Sequence, residues 1–301
     1  MNKDHNFIFA IGAQKSGTTT LHNLLLSNKR INLPKIKETH FFSHDKVYSK
    51  GYDWYLNQFI QSDGISCEVD PSYLFFSQSA DRIKATVKAP KFIVIFRKPL
   101  DRALSHYLMS CYRGYENLSF LSALEVEGQR LKDDKELFSF INHSYLKRGN
   151  YVEQLSVYLN RFDRSNFLFI KFEDLISKEN SNVINSICNF MGIENDFNID
   201  EMPESNKKRK VKSKLIRDFL YKDSAVKRML SSILPSEIIK MKIKHILDSF
   251  NSNYYNEIDS KNQFEEIMDQ IPEKYFMWSD EQSELLSSLT GLGLNDWKYG
   301  K

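Results

Sequence analysis

The sequence predicts an α/β protein, a mainly parallel sheet flanked by helices. Three observations predict it. Residues 7–12 (FIFAIG) form a short apolar run that breaks at Gly12, passes a Lys-Ser-Gly-Thr-Thr turn and resumes with helical spacing at Leu21, Leu24 and Leu25. Residues 91–96 (KFIVIF) carry the clearest buried run of the chain, the pattern of a central parallel strand, and a helical pattern follows them. Strand patterns then alternate with helical ones along the first two thirds of the chain, as a parallel sheet with helices on both faces requires.

The elements follow in order. Residues 31–33 read as a short extended piece, and Trp54, Tyr55 and Phe59 as a helical face. Residues 65–69 are a strand ending at Asp70-Pro71, and residues 80–87 a helix. After Arg97-Lys98-Pro99, residues 100–112 form a helix with Leu104, Tyr107, Leu108 and Cys111 on one face. Residues 120–131 and 151–162 are further helices, 166–172 a strand, and 183–191 a helix. A basic run spans residues 202–214, a polar helical stretch reaches about residue 250, and residues 251–278 carry no clear pattern. A last helix over 283–289 precedes Trp297. The chain reads as one domain over 1–301, with a helical insertion at about 215–275.

The 301 residues suffice for a sizeable core, and a net charge of +3 is too mild to indicate a nucleic-acid protein. Three widely spaced cysteines (Cys67, Cys111, Cys188) argue against a disulfide framework or a zinc site and suit a reducing compartment. No secretory signal pattern precedes the first strand, and no apolar run reaches the roughly 18 residues of a membrane span. The expectation is a cytoplasmic protein with no membrane span and no nucleic-acid partner.

A strand, a tight loop and a helix start form a geometry that binds anions, because loop N–H groups and the positive end of the helix dipole converge. Here Gly17 lets the backbone come close, Lys15 adds a positive charge, and Ser16, Thr18 and Thr19 offer hydroxyls. The loop differs from the triphosphate-binding G-x-x-x-x-G-K-[ST], since Lys15 precedes Gly17. All three leading motifs, at Gly12, Arg97 and Phe172, follow strand ends, where ligands of such sheets sit.

The order G-x-x-K-S-G-T-T resembles the 5′-phosphosulfate loop of sulfotransferases, which use 3′-phosphoadenosine 5′-phosphosulfate (PAPS) and release the bisphosphate PAP. Arg97, Pro99, Arg102, Ser105 and Tyr107 resemble the 3′-phosphate motif R-[DN]-P-x-x-R-x-x-S-x-Y, with Lys98 departing from the usual Asp or Asn. Lys37-Glu38-Thr39-His40-Phe41-Phe42 looks like the K-E-x-H-F-F segment of the carbohydrate sulfotransferases, especially the heparan-sulfate and related bacterial group. Glu68-Val69-Asp70-Pro71 and Arg148-Gly149-Asn150-Tyr151 also follow that family, although several animal members have lysine in place of Val69.

The resemblance implies a P-loop-type sheet (the sulfotransferase fold) and sulfuryl transfer from PAPS to a hydroxyl of a carbohydrate or small-molecule acceptor, without a metal. It implies Glu38 as the base, with His40 a competing base candidate, and Lys15 steadying the leaving phosphate. Lys15, Ser16, Gly17, Thr18, Thr19, Arg97, Ser105, Tyr151, Lys208 and Arg209 would bind the nucleotide; Lys37, Glu68 and Asp70 would face the acceptor. Glu68 and Asp70 serve equally as caps for the next helix. The competing readings are a P-loop nucleotide kinase and a non-catalytic nucleotide- or glycan-binding protein.

Overall fold

The structure, a computed structural model, describes residues 7–59, 64–134, 137–197, 209–222, 237–254 and 257–300. It divides into two compact units. The first takes the described residues through Arg102, then Lys147 to 197, then Lys274 onward; the second takes Ala103–Leu146 and the described part of 207–273. The helix Pro99–Arg113 crosses that division.

The first unit is built on five strands: β1 (Phe7–Gly12), β2 (Ile31–Asn32), β3 (Ile65–Val69), β4 (Lys91–Phe96) and β5 (Phe167–Lys171). They lie in the order β2-β3-β1-β4-β5, and every pairing is parallel. Each central strand is apolar on both sides because both faces are covered. Phe7, Phe9 and Ile11 of β1 pack on one face with Phe41, Phe42, Tyr55, Tyr73 and Tyr158. Ile8 and Ala10 pack on the other with Leu21, Leu24, Leu25, Ile184 and Ile187. The chain runs to one side of β1 through β2 and β3, then crosses to β4 and β5 on the other. That reversal opens a crevice at the carboxyl ends of β1 and β4.

Helices stand close to where the periodicity predicts them: Thr18–Leu26, Gln78–Thr86, Pro99–Arg113, Tyr151–Leu159 and Ser181–Met191. Two readings shift. Phe59 lies beyond the helix Tyr52–Leu56 and bridges Pro34 instead. The strand over 166–172 ends at Lys171, because Phe172 opens the helix Phe172–Ile176. The final helix is longer than expected, Glu273–Thr290, and Trp297 is buried.

The second unit holds the helices Phe120–Asp133, Lys214–Tyr221, Glu237–Asn251 and Glu257–Met268, with a small antiparallel pair, β6 (Arg209–Val211) and β7 (Ser252–Tyr254). Part of the stretch without a clear sequence pattern is therefore ordinary helix. Its polar anchor is Glu116, whose carboxylate accepts from Arg130 and, at 3.0 Å, from the Tyr145 hydroxyl. Burial opposes the charge, but those donors outweigh it and hold Glu116 down at about 2. Among the described residues no helix is long and apolar enough to cross a membrane.

Candidate active site

The loop after β1 reaches the helix Thr18–Leu26 through two left-handed residues, Lys15 (φ 70°) and Gly17 (φ 86°). Gly17 stands at the helix N-cap with no side-chain cap, and the first turn carries no acidic residue. The first helical bond runs from Leu21 N–H to Gly17 O, so the N–H groups of the opening turn face outward from the helix end. A Cβ on Gly17 would lie 2.9 Å from the Phe172 ring. The loop must therefore be glycine here for its packing as well as its φ.

Arg97 leaves the end of β4 beside this loop. Its Nη1 donates to the Lys15 carbonyl at 3.3 Å, and its guanidinium lies 4.7 Å over the Phe172 ring. Within the first unit, the strand-end arginine of the second motif thus lies against the loop of the first. Tyr151, expected near the nucleotide, is fully buried; its hydroxyl donates to the Arg97 carbonyl at 2.8 Å and its ring packs on Phe96. It supports the strand end from beneath. Ser105 lies on the part of the helix Pro99–Arg113 that belongs to the second unit. Lys208 lies outside the described residues, and Arg209 opens β6.

Lys37 joins the phosphate loop to the next motif. Its Nζ donates to Thr19 Oγ1 at 3.3 Å and to Glu38 Oε1 at 2.7 Å. Glu38 (φ 61°) and His40 (φ 54°) are both left-handed, an uncommon conformation for such residues. Two carboxylates from the end of β3 hold them there. Glu68 Oε1 accepts from Thr39 N–H at 3.0 Å and Thr39 Oγ1 at 2.6 Å; Oε2 accepts from the Tyr55 and Tyr73 hydroxyls at 2.7 and 2.9 Å. Asp70 Oδ2 accepts from His40 N–H at 2.8 Å, and Oδ1 from Ser72 N–H at 3.0 Å. Both carboxylates are 0% exposed. Of the two roles expected, facing an acceptor or capping the next helix, Asp70 takes the second through Ser72 N–H, and the oxygens of both carboxylates are taken up by protein donors.

The electrostatics follow from that burial. Desolvation, with the Asp70 charge beside it, pushes Glu68 up. Burial works against a charged His40, yet the Asp70 carboxylate outweighs it, with smaller help from Glu38 and Glu68, and raises the imidazole from 6.5 to about 9. Arg102 and Arg148 are both buried and close enough that each opposes the other's charge; Asp70 and Glu38 favour that of Arg148. The Arg148 guanidinium also lies 4.0 Å over the Phe75 ring. The sequence reading placed Arg148 only in a segment ahead of a helix, and nothing local distinguishes a buried site cation from a surface one. Thr39, the residue through which Glu68 acts, was likewise hidden as a spacer between two charged positions.

The chain matches the family model described as "Sulfotransferase domain" over residues 5–270. It belongs to the sulfotransferase family. The sulfotransferase domain is 29% identical over 185 residues to the heparan sulfate glucosamine 3-O-sulfotransferase 3B1 of Homo sapiens, which covers 61% of this chain and 45% of that protein. The same identity and length hold for the human 3-O-sulfotransferase 6, of which 51% is covered. The chain thus spans about half the length of these curated relatives. In fold, it resembles the crystal structure of a sulfotransferase from Alicyclobacillus acidocaldarius, with a TM-score of 0.64 and 22% identity over 97% of this chain and 98% of that one. The P-loop-type parallel sheet of the sulfotransferase domain is the fold the family shares.

The arrangement fits a phosphorylated donor. An uncapped helix start, free of acidic side chains in its first turn and flanked by Lys15 and Arg97, suits a bound phosphate. Among the described residues no group of three His, Cys, Asp or Glu side chains is placed to hold a metal ion.

Proposed function

We propose that this chain moves a sulfuryl group from PAPS to a hydroxyl of a carbohydrate acceptor, with Glu38 as the base. The observation that carries the reading is the Lys37 bridge between Thr19 and Glu38, which sets a carboxylate beside an anion-binding helix start. PAPS supplies the sulfuryl group: a new bond forms from the acceptor oxygen to sulfur, and the bond from sulfur to the 5′-phosphate oxygen breaks. The Glu38 carboxylate takes the acceptor's hydroxyl proton. Lys15 and the N–H groups of Ser16 to Thr19 stabilise the charge left on the 5′-phosphate, as preorganised dipoles do. Arg97 grips the 3′-phosphate, where a guanidinium offers a planar charge-assisted contact. Tyr151, Glu68 and Asp70 act from behind the reacting groups.

The carbohydrate acceptor rests on the likeness to relatives named as heparan sulfate sulfotransferases. A transfer assay with labelled PAPS over acidic polysaccharides, neutral glycans and phenols tests it; label on a glycan and none on the phenols is the expected outcome. Calorimetry separates the donor reading from its rivals. Binding of adenosine 3′,5′-bisphosphate without binding of ATP and magnesium supports PAPS. Binding of ATP alone would point to a kinase.

A further inference from the structure

The segment 38–40 is held by two buried carboxylates that are wired differently. Glu68 and Asp70 are two residues apart at the end of one strand, so both face the same loop. Glu68 takes four hydrogen bonds from Thr39, Tyr55 and Tyr73, all from neutral donors. Asp70 instead faces an ionisable partner: His40 Nδ1 lies 3.0 Å from Oδ2, on the same oxygen that takes the His40 N–H. The pair is asymmetric. The Asp70 side chain is 0% exposed, whereas that of His40 is 37% exposed. The carboxylate is sealed inside and the imidazole is partly open to solvent.

We propose that Asp70 is a positioning residue that keeps His40 as an imidazolium, so that its outer edge serves the acceptor as a charged donor and the proton of the acceptor goes to Glu38. A carboxylate in a dry interior needs a counter-charge, and the His40 ring is in direct contact with it. The other groups facing His40 are consistent with this. Glu38 and Glu68 favour its positive charge; the His44 ring, 4.8 Å away, is held down by burial and by His40 itself. Arg148 is near enough for the Asp70 and Glu38 charges to favour its own. Because Nδ1 stands against Asp70, Nε2 is the ring nitrogen that remains to serve a ligand. An imidazolium already carrying both protons accepts none, which divides the roles of the two base candidates. In the transfer step, the acceptor proton moves to Glu38, and His40 keeps its own.

This inference rests on the proposed sulfuryl transfer, but its first test does not need catalysis. Full-length protein labelled with ¹⁵N-histidine is titrated by long-range ¹H–¹⁵N spectroscopy, with the His40 signal assigned by its loss in His40→Gln. Both ring nitrogens are expected to be protonated at neutral pH, with a midpoint near 9, as the buried carboxylate dictates. In Asp70→Asn the midpoint falls by about two units or more. A wild-type midpoint at or below 6.5 overturns the proposal whether or not Asp70→Asn folds. The second test is the pH profile of kcat/KM with PAPS and acceptor. Its alkaline limb is expected to move to lower pH in Asp70→Asn and to return toward the wild-type position in Asp70→Glu; a limb that stays in place in a folded Asp70→Asn overturns the role. If no PAPS-dependent transfer is found with any acceptor, the proposed function falls, and the ring titration alone decides the Asp70–His40 pairing.

Discussion

Lys37 contacts a helix-start hydroxyl and the Glu38 carboxylate at once, and this small bridge organises the site at the residue scale. Two outcomes belong here. Glu38→Gln keeps the shape of the side chain and removes its capacity to take a proton. Turnover should fall by about 10²- to 10⁴-fold, the usual worth of a positioned general base. Adenosine 3′,5′-bisphosphate should bind within a few-fold of wild type, measured by calorimetry; lost binding with intact turnover would remove the base assignment. Arg97→Ala deletes a guanidinium from the strand end. Binding of the 3′,5′-bisphosphate should weaken by roughly 10- to 100-fold, in line with a charged hydrogen bond, and that of adenosine 5′-phosphate by much less. Equal losses for both nucleotides would move Arg97 from the 3′-phosphate to the loop itself. Lys15, Glu38, His40 and Arg97 were legible as candidate site residues because each sits in a dense local motif. The structural roles of Glu68 and Asp70 were not, since a carboxylate in a sequence looks the same whether it meets water or two tyrosines.

At the scale of elements, the strand-loop-helix unit at the start of the chain depends on one backbone position. Gly17 has φ 86° and no room for a side chain against Phe172. Gly17→Ala should therefore destabilise the first unit by about 2 kcal/mol, counting the left-handed strain and the contact with the ring. Urea denaturation checks this, and an unchanged midpoint would show that the loop can relax. The element boundaries themselves were readable where an apolar period met a punctuating residue. Pro99 opens one helix and Gly192 closes another in the left-handed conformation. In the second unit the helix Phe120–Asp133 was read close to its bounds, but the boundaries beyond about residue 200 were unreadable. There the helix Glu257–Met268 shows little amphipathic contrast, and a three-residue strand such as β6 is too short for a period to appear.

For the whole molecule, the buried acidic cluster predicts how stability responds to pH. The folded protein holds the His40 proton more tightly than the unfolded chain does. That contribution is complete below 6.5 and is lost as pH rises toward about 9. Glu68, also raised, adds a loss of the same sign earlier, as pH rises from 4.5 to about 7. Asp70 is lowered despite its burial, because His40 and backbone N–H groups favour its charge, so its own contribution disappears only on strong acidification. Stability measured by urea unfolding should therefore decline between about pH 6.5 and about pH 9, and His40→Gln should flatten that decline. A profile that is flat in the wild type would contradict a charged His40 in the folded state.

By itself the sequence determined the parallel α/β class, the family and the anion-binding motifs, because these depend on spacing and on residue type within a few positions of one another. Only the tertiary structure decided that the Arg97 guanidinium lies against the Lys15 carbonyl. It also showed Tyr151 as a strut and His40 standing over a sealed carboxylate. Those facts join residues that are tens of positions apart. They follow from the strand order of the sheet and from which side chains the packed interior shuts away from water, and no local pattern encodes either.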